Sequence, residues 1–273
     1  MSASPYIGLL KLALIVPLLA YLGLVLFALI FANGLIFPAP SPGKEADSGL
    51  TRFSHNEKGH EVTLRYIQNP DSPFLVFYHH GNGEDLSRIE DRLEALSEAG
   101  FSVLAWNYPG YGSSDGRPSE REVLRIAAKI WESIPDSFGF SHQQTLLYGR
   151  SIGSGPATWL ASQGEAAGLI IEGGFTSIFD VALPVKLLPW DIFDNEARLA
   201  GVRCPVLIIH GTRDETVPYS HGRALFEAAP SPKFFLWISG GMHNDLIEGY
   251  PENYLSSIGR FRDFLLGNTV QLP

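Results

Sequence analysis

The chain has 273 residues, 45% of them hydrophobic and 18% charged, with a formal net charge of −9. That apolar content supports a buried core, and the acidic balance argues against nucleic acid as a partner, because phosphate backbones select basic surfaces. Cys204 is the one cysteine, which rules out an internal disulfide and a cysteine-built zinc site.

Residues 12–32 carry no charged side chain, and at about 1.5 Å per residue such a run crosses the roughly 30 Å hydrocarbon core of a bilayer. It reads as one transmembrane helix, since Pro17 and Gly23 are tolerated in lipid where backbone pairing stays internal. A cleaved signal peptide is the rival reading, but the run exceeds the usual apolar core of about 7–15 residues and no A-x-A-like cleavage site stands out. Lys11 precedes the run and the next charges are Lys44, Glu45 and Asp47. That bias favours a cytoplasmic N-terminus and a folded domain on the extracytoplasmic side. Pro38, Pro40, Pro42 and Gly43 follow as a stiff, extended stretch. Residues 1–36 are therefore read as an anchor, 37–61 as a linker and approach, and 62–273 as one domain without internal repeats.

Short apolar runs at 62–67, 74–79, 102–106, 145–148, 168–171, 206–210 and 234–238 are strand candidates. Amphipathic segments at 86–98, 119–134, 151–162, 219–228 and 251–266 are helix candidates. This alternation predicts an α/β fold with a mostly parallel central sheet flanked by helices, and functional residues at the C-terminal ends of its strands.

Gly149-Arg150-Ser151-Ile152-Gly153 lies between an apolar strand and a helix-like run, the setting of a nucleophile elbow, in which serine sits on a tight, exposed turn. A second match, Gly112-Ser113-Ser114-Asp115-Gly116, follows a loop-like stretch and precedes Arg117-Pro118, so no helix begins at Ser114. Strand-turn-helix context selects Ser151. A serine hydroxyl needs an imidazole to take its proton and a carboxylate to orient that imidazole. Asp214 stands just past the strand candidate at 206–210, with Glu215 as its competitor. His243 stands in a glycine-flanked loop after the last strand candidate, with His221 as the nearest rival among the eight histidines. His210 is expected to be a hydrogen-bonded core residue at a strand end, and His55, His60 and His142 to be surface or loop residues. The order Ser, Asp, His is that of α/β-hydrolases. An oxyanion needs two fixed backbone donors: the N–H of Ile152, after the serine, and that of Asn82, in His80-Gly81-Asn82-Gly83 after an early strand. His79 and His80 lack a companion ligand set, so no metal is expected.

These motifs, with Asn107-Tyr108-Pro109-Gly110-Tyr111-Gly112, Gly116-Arg117-Pro118-Ser119-Glu120, Phe175-Thr176-Ser177, His210-Gly211-Thr212-Arg213-Asp214 and His243-Asn244-Asp245, together resemble the membrane-anchored α/β-hydrolase-domain serine hydrolases. The resemblance spans nearly the whole chain. It implies an α/β-hydrolase fold, a triad of Ser151, Asp214 and His243, hydrolysis of carboxylic ester or thioester bonds, and no cofactor. One departure is Glu172-Gly173-Gly174-Phe175, where a serine and a proline are expected between the glutamate and the phenylalanine; it falls near the acyl pocket. A lid is expected within 173–204, too short for a large cap, with residues 183–190 as an apolar centre that either borders the site or packs on the core. Small-molecule or lipid-linked acyl groups are the expected substrates. A serine peptidase or acyltransferase on the same triad, and a catalytically silent membrane-tethered binding module, are the alternatives.

Overall fold

The computed structural model describes residues 5–40, 50–55, 59–182 and 187–269. Much of the expected linker, at 41–49 and 56–58, and the first half of the expected lid centre, at 183–186, lie outside the described residues. The chain divides into two units, residues 1–38 and 39–273.

The first unit is one helix, α1 (Pro5–Ile36), which runs through Pro17. Its segment Leu12–Ile36 is long and apolar enough to cross a membrane. Large side chains such as Leu14, Leu19, Leu29 and Leu35 are exposed along its length, an arrangement suited to lipid rather than water.

The second unit is built on an eight-stranded sheet of order β1-β2-β4-β3-β5-β6-β7-β8. Its strands are β1 (Leu50–Ser54), β2 (Glu61–Ile67), β3 (Leu75–His79), β4 (Ser102–Trp106), β5 (Thr145–Arg150), β6 (Gly168–Glu172), β7 (Val206–Gly211) and β8 (Lys233–Ile238). β1 and β2 pair antiparallel, as do β2 and β4, and every later pairing is parallel. Every residue of β3 to β7 is buried, which explains why these strands read as continuous apolar runs. β1 lies in the stretch read as linker. Its exposed edge position carries no apolar run, and its pairing with β2 defines it instead.

The principal helices are α2 (Glu90–Glu98), α3 (Glu120–Phe138), α4 (Ser154–Gln163), α5 (Ile178–Ala182), α6 (Asn195–Leu199), α7 (Tyr219–Ala228) and α8 (Pro251–Leu265). Alternate strand residues, among them Val76, Tyr78, Leu146, Tyr148, Leu207 and Ile209, share one apolar cluster with Leu93 and Leu96 of α2 and with Tyr254, Ile258 and Phe261 of α8. α4 packs along β3, β5 and β6, and α7 along β7.

Two of the histidines expected as surface or loop residues have specific side-chain partners. His55 is buried and bonds Arg125 Nη2 of α3 at 3.0 Å. His142 explains why α3 continues past its expected end at Pro135. Proline has no N–H to pair with the carbonyl four residues back, Trp131; His142 Nε2 donates to that carbonyl at 3.0 Å, and its ring stacks on Trp131.

The second serine motif stitches the sheet. Ser114 Oγ accepts from Thr63 N of β2 at 2.9 Å and donates to Asn107 O, just past β4, at 3.1 Å, while Asp115 N donates to Glu61 O of β2 at 2.8 Å. Ser114→Ala should lower stability by about 1–3 kcal/mol, the cost of leaving a buried backbone N–H unsatisfied, as measured by denaturant unfolding, while leaving any reactive serine elsewhere intact.

Candidate active site

β5 runs to Arg150 and the chain turns at Ser151, whose φ of 50° lies in the left-handed region. A non-glycine residue there is strained, and the packing around it must hold it. Gly153 makes that packing possible: a Cβ on it would lie 2.0 Å from His79 O. The elbow thus rests directly on the end of β3, and the following backbone enters α4.

Ser151 Oγ donates to His243 Nε2 at 3.0 Å, and His243 Nδ1 donates to Asp214 Oδ2 at 2.7 Å. The three sequence-predicted residues therefore meet, although they follow three different strands. Asp214 Oδ1 accepts from Thr216 N at 2.9 Å and Val217 N at 2.8 Å. Burial pushes the Asp214 carboxyl up, but the hydrogen bond from His243 and that from Val217 outweigh it and hold it below its ordinary value. An ionised Asp214 accepts only, so His243 carries its proton on Nδ1 and presents Nε2 as an acceptor to the serine. Glu215, its sequence competitor, is exposed.

The rival histidines are accounted for. His210 Nε2 donates to Val217 O at 2.9 Å and lies 3.4 Å from Asp214 Oδ2; burial keeps it below its ordinary pKa and hence neutral. His221 is half-buried against Thr176 Oγ1, 3.0 Å away, rather than against Ser151. His79 Nδ1 accepts from Trp106 Nε1 at 3.0 Å, and burial lowers its pKa to about 3. Among the described residues no group of three or more His, Cys, Asp or Glu side chains is placed to hold a metal.

The loop after β3 carries Asn82, and it is braced from the tyrosine-rich loop after β4. Tyr108 Oη donates to His80 O at 2.6 Å, and the His80 ring stacks on Tyr108. Tyr111 Oη donates to Asn82 Oδ1 at 3.0 Å, and Gly83 N donates to the same oxygen at 3.1 Å. Ile152 is buried in the first turn after Ser151. The contact of Gly153 with His79 therefore brings the turn holding Ile152 and the loop holding Asn82 to the same end of the sheet.

Residues 71–190 match a family model described as Hydrolase_4, serine aminopeptidase, S33. The chain is 31% identical over 233 residues to human alpha/beta hydrolase domain-containing protein 17B, an alignment spanning 84% of this chain and 79% of that protein. The chain belongs to the α/β-hydrolase family. A Pyrococcus furiosus esterase shares the fold with a TM-score of 0.67 at 17% identity, over 83% of this chain and 98% of that one. A Paleococcus ferrophilus monoacylglycerol lipase does so with a TM-score of 0.62 at 22% identity, over 75% and 99%. The family supports hydrolase activity, and these solved neighbours support the fold.

The expected lid segment of this hydrolase contains the short helices α5 and α6. Asn195, the first residue of α6, is buried and donates through Nδ2 to Ser154 Oγ and to Phe175 O, both at 3.0 Å. Phe193 N donates to Glu120 Oε1 at 2.9 Å, which ties the same segment to α3. The departure at Gly173 has a local reason. Gly173 has φ +54°, and a Cβ there would come within 3.0 Å of His243 Cε1, so a larger residue would need a shifted imidazole or backbone.

Sequence reasoning assigned nothing to Glu172. It ends β6 in register with Arg150 on β5 and is 1% exposed. Arg92 Nη1 donates to it at 3.0 Å, Arg150 Nε lies 3.3 Å from it, and Tyr148 and Tyr254 each donate to Oε2 at 2.5 Å. Burial pushes this carboxyl up, but Arg92 and Arg150 overcome that and hold it at about 2. The partners come from three separate stretches of chain, α2, β5 and α8, so no local pattern announces the cluster. Because the folded pKa lies below the unfolded one, ionised Glu172 stabilises the fold above about pH 4.5, and that contribution fades as pH falls towards 2. Glu172→Gln should lower neutral-pH stability by about 3–5 kcal/mol, as for breaking a buried ion pair. It should also flatten the fall of Tm between pH 6 and 3, read by thermal unfolding across that series.

Proposed function

We propose that this chain is a serine hydrolase that cleaves carboxylic ester or thioester bonds of acyl substrates through an acyl-enzyme on Ser151. The observation that carries this reading is the continuous relay of Ser151, His243 and Asp214, with contacts of 3.0 and 2.7 Å. In the first half-reaction Ser151 Oγ attacks the acyl carbonyl while His243 Nε2 takes its proton. The imidazolium, steadied by Asp214, then protonates the departing alcohol or thiol. In the second, water loses a proton to His243 and attacks the acyl-enzyme, and His243 returns that proton to Ser151 Oγ as the acid leaves. The backbone N–H groups of Ile152 and Asn82 are the proposed donors to the negative oxygen that forms in each half.

The long apolar helix supports a membrane-held enzyme acting on lipid-linked acyl groups. We assign its N-terminus to the cytoplasmic side and the hydrolase domain to the other, on the position of Lys11 ahead of the span. An alkaline phosphatase fused to the C-terminus should then be active. Activity of only a cytoplasm-dependent reporter reverses the assignment.

A second reading, cleavage of aminoacyl amides, is favoured by the description of the family model, a serine aminopeptidase. Turnover of acyl esters of graded chain length, compared with aminoacyl amides, separates the two, and the ester reading requires the esters to be the better substrates. A fluorophosphonate probe should label the wild type and leave Ser151→Ala unlabelled. Asp214→Asn should reduce kcat by about 10⁴-fold, as expected when the base is left in the wrong tautomer. A wild type that neither labels nor turns over ester supports a silent binding module and removes the hydrolase reading.

A further inference from the structure

Arg150 immediately precedes Ser151, and its side chain is only 4% exposed. A buried guanidinium is retained only where its charge and its donors are matched. Glu172, 3.3 Å from Nε, matches the charge, although Nε itself makes no hydrogen bond. The two terminal nitrogens point elsewhere, to the loops on either side of the serine. Nη1 donates to Glu84 Oε1 at 2.6 Å, and the other oxygen of Glu84 accepts from Gly81 N at 2.6 Å. Nη2 donates to His243 O at 3.1 Å and to Asn244 Oδ1 at 2.7 Å.

We infer that Arg150 is a positioning residue that sets the loop carrying Asn82 and the loop carrying His243 against the nucleophile through one planar cation. The inference rests on the proposed hydrolase reading of Ser151 and adds a residue to its machinery. The guanidinium reaches Glu84, Glu172, Asn244 and the His243 carbonyl, none of which is a reacting atom. It acts on the backbone: through Glu84 on the residue just before Asn82, and directly on the carbonyl of the residue whose ring must receive the serine proton. A planar fork suits this task because its donors leave in fixed directions, so the separation of the two loops is set by the geometry of one rigid group. A lysine ammonium in the same place is a point charge without that fork. The bland alternative is that the cluster only stabilises the fold, in which case its loss changes how much enzyme is folded and not how fast each folded molecule turns over.

The test uses the full-length chain in detergent micelles with p-nitrophenyl butyrate as substrate. Active sites are counted by fluorophosphonate titration, and Tm is measured in parallel. Arg150→Lys keeps a positive charge beside Glu172. Glu84→Ala and Asn244→Ala each remove one arm at positions that are not fully buried, and they decide the matter should Arg150→Lys not fold. Arg150→Lys and Glu84→Ala should lower kcat per titrated site by about 10- to 100-fold, the scale of an ångström-size misplacement of reacting groups. KM should stay within about twofold, the mark of an effect on the chemical step rather than on substrate binding. The double variant Arg150→Lys/Glu84→Ala should be no slower than Arg150→Lys alone, because both break one link. Unchanged kcat per titrated site with a lowered Tm, a rise in KM alone, or fully additive losses would each overturn the positioning role. A wild type that neither labels nor turns over ester defeats the hydrolase reading itself, and this inference with it.

Discussion

An ionised carboxylate with almost no access to water organises the functional end of the sheet. Glu172 stays charged because two guanidinium groups and two tyrosine hydroxyls surround it, and its desolvation would otherwise favour the neutral acid. Those partners arrive from α2, β5 and α8, so keeping the charge satisfied requires the strand ends and both helices to be in place together. A cluster of this kind contributes specificity as much as stability, since almost any other register leaves a buried charge unpaired. Arg150 belongs to the cluster and also precedes Ser151 in the chain, which couples the electrostatics of the core to the geometry of the site.

The site itself follows from parallel topology. In a sheet whose strands run the same way, loops that are far apart in sequence leave from one edge and lie side by side. Ser151 follows β5, Asp214 follows β7 and His243 follows β8, and their hydrogen bonds run across the strand exits from β5 to β8 at one end of the sheet. The strained φ of Ser151 is held because Gly153 allows the elbow to sit on His79 at the end of β3. The tyrosines after β4 brace the loop after β3 in turn. Each of these loops is held by contacts to another, so the donors and the relay are in place without a substrate present.

The membrane-length helix and the hydrolase unit obey different solvents. α1 is apolar from Leu12 to Ile36 and exposes large side chains there, whereas the hydrolase unit encloses its apolar strands between helices. Within the hydrolase unit, the short α5 and α6 span only a modest stretch of chain, tethered by the buried Asn195 to Ser154 and Phe175.

Where a signal is local, the sequence was sufficient. The buried parallel strands announced themselves as apolar runs, α1 as an uncharged span, and Ser151, Asp214 and His243 by their places after strands in the order of the fold. Where a feature depends on partners distant in the chain, it was not legible. β1 is defined by pairing with β2 rather than by hydrophobicity. α3 passes Pro135 because His142 takes over the orphaned carbonyl, and His55 is buried because Arg125 reaches it. The second serine motif turned out to stitch β2, a role read only from Thr63 and Asn107. Composition, periodicity and motif order thus determined the fold class, the apolar N-terminal helix and the three residues of the relay. The tertiary structure alone decided which buried charges face one another, because desolvation and hydrogen-bond geometry act between groups that only the folded chain brings within a few ångströms.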